Sequence, residues 1–419
     1  MKRIISVVLL IGIILSLCAC TDESKRATDT QDLLDYNTDF QYYYSNINGF
    51  NSSITKSDTG YYIFLLNRFL YYIDKETMEA TPLCSKVNCT HTDRNVCDAY
   101  FNTYAVPWST QNTIQYNKGQ LYILNRNEDN YGNFEGASLY SVSLDGSERN
   151  ELASFKEGFE NWLIHRGYFY YITVEYSEDI ETYSAEKSFS IYRLPIDNLN
   201  SEPELIFDSS NYFDCVSSGM HQILAYENYI LTVVPVSKEQ DKNSKFQNIS
   251  TEFNYYTINT DTLSVNKIQN KDGRAGAPNF YNGRLLYSIT TDDASVYYTC
   301  ELDGSNPELI KETEYADNIF SDGSHLYMQN LEEISDEKSQ GEKLYTLNAD
   351  FSKSGSAILP VRRFTVNNVA QDPDYFIFIH YLEEENLSGD FEIRCIDKSK
   401  LQNMNGETAE YKVAYSSAN

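Results

Sequence analysis

Tryptophan is nearly missing from this chain, at 2 residues in 419, and proline (9) and histidine (5) are scarce. Positive charge is also short. There are 33 Lys and Arg against 61 Asp and Glu, for a formal net charge of −28. That balance argues against a nucleic-acid surface, which needs a basic face. It also argues against an anionic lipid surface as a second anchor. Several catalytic strings are lacking: no G-x-S-x-G elbow, no H-E-x-x-H helix and no Walker loop. After residue 20 no apolar run reaches membrane-spanning length. No capped helical pattern of three turns stands out in the same stretch.

What is present begins with the first twenty residues. Lys2 and Arg3 precede an apolar run, Ile4 to Leu17, broken only by Ser6, Gly12 and Ser16. This is a secretory signal, too short for a comfortable membrane span. Its end, Leu17-Cys18-Ala19-Cys20, resembles the lipobox of bacterial lipoproteins. The resemblance implies that Cys20 carries a diacylglyceryl thioether, becomes the mature N-terminus and holds the protein on the outer face of the cell membrane. Residues 21–38 are polar, without a periodic apolar face, and read as a flexible tether. Losing Lys2 and Arg3 with the leader takes the charge from −28 to about −30, which suits a soluble domain that repels its neighbours.

Residues 39–419 repeat. A turn residue followed by an aromatic-aliphatic string recurs seven times. The strings start at Gly60, Gly119, Gly167, Asn228, Gly283, Gly323 and Asp374. Their spacing of roughly 40 to 60 residues is that of repeat arrays such as propellers. A second aromatic-rich string ending in Asp or Asn follows each, as in Leu70-Tyr71-Tyr72-Ile73-Asp74 and Leu139 to Gly146. Asp-Gly after such a string predicts a hairpin turn with both residues at positive φ. A shorter strand then follows in most units. Each unit thus holds about four antiparallel strands, and radial stacking buries both faces of such sheets. The expectation is an all-β, seven-bladed β-propeller, with six or eight blades still open because the first and last are hardest to bound. With 36 Tyr and 21 Phe, most aromatics are expected on blade faces, ring inside and hydroxyl wet. The pattern resembles propeller lipoproteins of Gram-positive bacteria and is similar to TolB-like and YWTD-type propellers. The YWTD string itself is absent, so nothing receptor-like is implied, and fold does not decide activity.

One insert, residues 84–98, departs from the repeat. Cys84, Cys89, His91 and Cys97 fall within about fourteen residues. Thiolates and an imidazole are the ligands of tetrahedral zinc, and another thiophilic ion would suit the same donors. A disulfide stays open too, because the chain is exported. The spacing C-x4-C-x-H-x5-C is not the common C-x2-C knuckle. Cys300 and Cys395 lie on apolar strands, where Cys behaves as a small hydrophobe. His165, His221, His325 and His380 each stand alone and read as structural. The segment Asn125 to Asn130 lacks EF-hand spacing and reads as a solvated loop rather than a calcium site.

The sequence therefore points to a lipid-anchored binding or scaffold protein for an envelope protein or glycan. The alternative is a glycan-active enzyme with its site in the central channel.

Overall fold

Strands rich in Tyr, Ile, Val and Thr can hide both faces only if whole sheets stack on one another. In the computed structural model they do so in seven consecutive antiparallel sheets. The structure describes residues 44–418, except 47–48, 52, 66–67, 104–112, 129–133, 157–158, 160, 177–185, 214–220, 239–249, 269–273, 276–277, 291–293, 315–316, 331–340, 361–367, 370–373 and 383–389. Cys20, the tether, Cys215 and Asp129 lie outside the described residues. Tyr36–Asn419 clusters as one unit.

The protein is an all-β propeller of seven blades on a four-strand plan. Blade 1 is Ile54–Lys56, Gly60–Phe64, Leu70–Asp74 and Ala80–Pro82, paired in that order. Blades 2, 3 and 4 follow the same order over residues 114–155, 161–208 and 222–267, and blade 5, over 274–314, adds a fifth strand because Arg274–Ala275 and Asn279–Tyr281 both pair with Arg284–Thr290. Blade 6 is Asp317–Ser321, Leu326–Asn330, Glu342–Leu347 and Lys353–Leu359. Asn405–Thr408 is added in parallel at its outer edge. Blade 7 is Tyr375–Tyr381, Phe391–Asp397 and Lys412–Ser416. Asn368–Val369 lies beside the first of these, but its ladder partner is Tyr44–Asn46, near the other end of the unit. Helix among the described residues is limited to two 3-10 turns, Ser209–Asn211 and Lys398–Lys400.

Burial falls from the inner strands outward, as radial stacking requires. Every residue of Asn161–His165 and Gln222–Tyr226 is buried, whereas the outer strand Arg149–Phe155 begins with four exposed residues. The stability of the fold lies in the seams between blades. Each buried Ile, Leu or Phe contributes about 1.5–3 kcal/mol relative to an exposed one. Ile63 and Ile73 of blade 1 share a cluster with Ile377 and Ile393 of blade 7, which closes the ring. Phe64 and Leu121 join blades 1 and 2, and Leu163 and Ile230 join blades 3 and 4. Tyr226 stacks on Phe280 at 4.5 Å between blades 4 and 5.

Two expectations change in detail. At the Asp-Gly turns only glycine takes positive φ: Gly146 is at +70° and Gly304 at +80°. Asp145 and Asp303 instead accept the backbone N–H two residues on, from Ser147 and Ser305. The carboxylate caps the turn, so its conformational tolerance is not what selects it. The two-residue turns with both positions at positive φ are elsewhere, at Lys118-Gly119, Arg166-Gly167 and Asn282-Gly283. Nor are all tyrosine hydroxyls wet. Tyr62 of blade 1 donates to the Leu144 carbonyl of blade 2 at 3.0 Å, and Tyr297 of blade 5 accepts from the Ile319 N–H of blade 6 at 2.9 Å.

Candidate metal centre

Blade 1 ends at Pro82, and the chain then makes a detour before blade 2 begins at Ile114. The detour is tied at both ends to the blade 1 strand that starts at Leu70. Leu83 N–H donates to the Leu70 carbonyl, and Leu70 N–H donates to the Ala99 carbonyl, each at 2.8 Å. Tyr100 forms a bridge with Phe69. The loop is therefore pinned where it leaves the blade and where it returns.

Between the pins the chain reverses twice through left-handed residues, Asn88 at φ +61° and His91 at +55°. Asn tolerates that region because its short side chain bonds locally. The Asp93 carboxylate then accepts the Asn95 N–H at 2.9 Å, and its carbonyl accepts the Cys97 N–H at 3.0 Å. Lys86 spans the loop to Asp98 at 2.7 Å and to the Val96 carbonyl. That ion pair is about half exposed, so it fixes shape more than it stabilises.

These turns bring Cys84, Cys89, His91 and Cys97 together, with one ligand atom from each within 4.8 Å of all the others. His91 Nδ1 lies 3.5 Å from Cys97 Sγ. A tetrahedral Zn2+ with Zn–S near 2.3 Å and Zn–N near 2.05 Å has an S···N edge of about 3.6 Å and an S···S edge of about 3.8 Å. The His91–Cys97 distance matches that S···N edge, and the four donors together could hold a metal such as zinc. No disulfide joins the three cysteines.

The surroundings set the thiols apart from one another. Cys97 is buried, and burial pushes its pKa up to about 12. Burial acts the same way on Cys84. There, the backbone N–H groups of Lys86 and Asp98, with the Cys97 and Cys89 thiols, outweigh it and bring the pKa below the ordinary thiol value. Cys97 and Ala99 belong to the core cluster that blades 1 and 7 share, and Cys84 and Cys89 pack against it. The centre thus sits on the seam that closes the ring.

The remaining candidates divide. Cys300 and Cys395 are buried strand residues, as expected of small hydrophobes, and burial raises the Cys300 thiol to about 12. His165 is buried with Nε2 against the Glu227 carbonyl, and His221 is buried with its ring 4.5 Å from Phe189. Both are structural. The segment Asn125 to Asn130, expected to be a solvated loop, is instead strand through Glu128, as the end of Gln120–Glu128, and Glu128 is paired with Arg126 at 2.7 Å. His325 lies in the turn before the second strand of blade 6. Its side chain is 42% exposed, and its Nδ1 lies 3.3 Å from the Asp322 carboxylate. Sequence reasoning missed Asp322, Tyr327 and Lys398 around it. The one signal was turn length: Asp322 to His325 is four residues where blades 2 to 5 use two.

No family model matches the chain, and no curated protein matches it. Solved structures do. One prolyl endopeptidase is similar at a TM-score of 0.51 and 12% identity, over 91% of this chain and 50% of its own length. The chain thus spans about half of that protein. An oligogalacturonate lyase in complex with manganese aligns at a TM-score of 0.44 and 11% identity, over 77% of this chain and 80% of its own. TolB from Acinetobacter baumannii aligns at 0.34 and 12%, over 86% and 81%. At such identities the likeness is one of fold.

Proposed function

We propose that this protein is a lipid-anchored, extracytoplasmic propeller that serves as a binding or scaffold module for an envelope protein or glycan. In this reading zinc is a structural staple held by Cys84, Cys89, His91 and Cys97. The observation that carries the address is the run from Lys2 to Cys20: a basic start, an apolar stretch and a lipobox-like end. The observation behind the staple is the four-donor cluster on the blade 1–blade 7 seam. Four protein ligands fill a tetrahedral zinc, which leaves no position for a substrate. The metal's part is then to hold the loop, and the ring it secures is a rigid frame for loops that meet a partner. Among the described residues no helix is long and apolar enough to cross a membrane.

The test is metabolic labelling with an alkyne-bearing fatty acid. The full chain is expected to take the label and partition with membranes, and Cys20→Ala to do neither. Equal labelling of the two chains refutes the anchor.

A further inference from the structure

We propose that the cleft where blade 6 meets blade 7 is a binding site for a neutral saccharide, with the His325 imidazole as its ligand-facing group. This rests on the binding reading above and gives it a place and a ligand class.

Two adjoining clefts of about 370 and 320 Å³ share His325, Tyr327 and Gln402. Each is in the range of small-molecule sites, roughly 300–1,000 Å³. Asn348, Asn403, Thr346 and Ser354 line the first, and Tyr375, Ser399, Lys75 and Asp374 help to line the second.

The imidazole between them is held by a buried platform. Asp322 is 1% exposed and Lys398 3% exposed. Asp322 Oδ2 accepts from Lys398 Nζ at 2.9 Å and from the Tyr327 hydroxyl at 3.1 Å. Asp322 Oδ1 accepts the His325 backbone N–H at 2.7 Å. The ammonium of Lys398 also lies 4.1 Å from the Phe376 ring centroid. With Nδ1 turned to the carboxylate, Nε2 is the nitrogen that the ring presents to the clefts.

The fold does not require this platform. Desolvating two charges costs several kcal/mol per ion, and an apolar pair of the same volume is often as stable or more so. Blades 2 to 5 make the same turn with two residues. One copy of a repeat that carries a buried ion pair beneath an exposed imidazole is organised around the imidazole, because packing alone is met without it in its sisters.

Most of the charges at the clefts are paired within the protein. Asp374 already takes Lys56 at 2.8 Å and Lys75 at 2.6 Å. Asp397 accepts the Ser399 N–H at 2.9 Å and its hydroxyl at 2.6 Å. The walls also carry the Gln402 and Asn403 amides, the His325 imidazole and the Tyr375 ring, while Ser354 donates to Thr346 and Asn348 to Ser352. Donors and acceptors at close spacing beside an aromatic face match the hydroxyls and apolar faces of sugar rings.

The experiment prints cello-, chito-, manno- and xylo-oligosaccharides of two to six sugars. They are probed with the full lipidated chain in detergent, beside His325→Ala, His325→Gln and Gln402→Ala, each checked for an unchanged melting point. At least one series is expected to bind. His325→Ala should weaken it at least tenfold, and His325→Gln, which keeps a polar tip, should weaken it less. If a series binds all four proteins equally, the cleft assignment is overturned while the binding reading stands. If none binds, but cross-linking in intact cells joins the wild-type chain to an envelope protein, the saccharide site is overturned and the scaffold reading stands. If neither occurs, both readings fall.

Discussion

Stripping metal from the Cys84–Cys97 loop is expected to open the ring seam locally, by an amount the structure allows to be worked out. The outermost ligands enclose a loop of about fourteen residues. Tying the ends of such a loop removes about 3 kcal/mol of chain entropy from its open state. At about 1.4 kcal/mol per factor of ten, an untied loop opens roughly a hundredfold more often. Amide hydrogen exchange reads that opening directly. The informative amides are Leu70, Cys97 and Phe101, which donate to the carbonyls of Ala99, Asp93 and Arg68. Each should exchange roughly a hundredfold faster after a zinc chelator is added under reducing conditions, whereas amides of Gln222–Tyr226, on blade 4, should not change. The Cys89→Ser variant should behave as the chelated wild type does and hold less than one zinc per chain. Equal zinc in the two proteins, or exchange at Leu70 indifferent to the chelator, refutes the metal staple.

Two more outcomes follow from the platform under His325. Asp322→Ala leaves Lys398 buried without its counter-charge and should cost about 3–5 kcal/mol in denaturant unfolding, while Asp322→Ala with Lys398→Met should recover most of it; a single variant as stable as wild type would show that the pair is not buried. The Asp322 carboxylate holds the His325 pKa above its ordinary value near 6.5 despite partial burial. Protonation therefore favours the folded state, and this contribution is present below about pH 6.5 and fades as pH rises through the folded value. The Asp322 carboxyl, although buried, is held well below its usual range by Lys398 and His325, so its contribution is present above the ordinary value and fades only in strong acid. An NMR titration of the His325 ring should show the raised midpoint, and Asp322→Asn should bring it down.

Much of the fold was legible because the repeat writes the same physics seven times. The strings that open at Gly60, Gly119, Gly167, Asn228, Gly283 and Gly323 fall on the second strands of blades 1 to 6, and the one at Asp374 falls on the first described strand of blade 7, Tyr375–Tyr381; the aromatic strings after them fall on the next strand of each blade. These are the strands that combine a turn signal with alternating apolar residues. The first strands were not legible. Asn161–His165 is a short run buried at every residue, so it shows no polar-apolar alternation to read. The closing pair was invisible for another reason: Tyr44–Asn46 and Asn368–Val369 are more than three hundred residues apart, and neither has an apolar pattern that names its partner. The metal cluster was readable because three thiols and an imidazole crowd one short stretch. The Asp322–Lys398 pair was not, since its members lie 76 residues apart and nothing in a polar side chain's own neighbours says it will be buried.

The shared core of blades 1 and 7 bears on how the molecule is made. A chain emerging in order completes six blades while the flank carrying Ile63 and Ile73 still lacks Ile377 and Ile393. For all that time a greasy wall faces outward, with the sticky character that invites aggregation or chaperone capture. Premature termination anywhere before the last sheet should therefore yield debris for proteases rather than a smaller working ring.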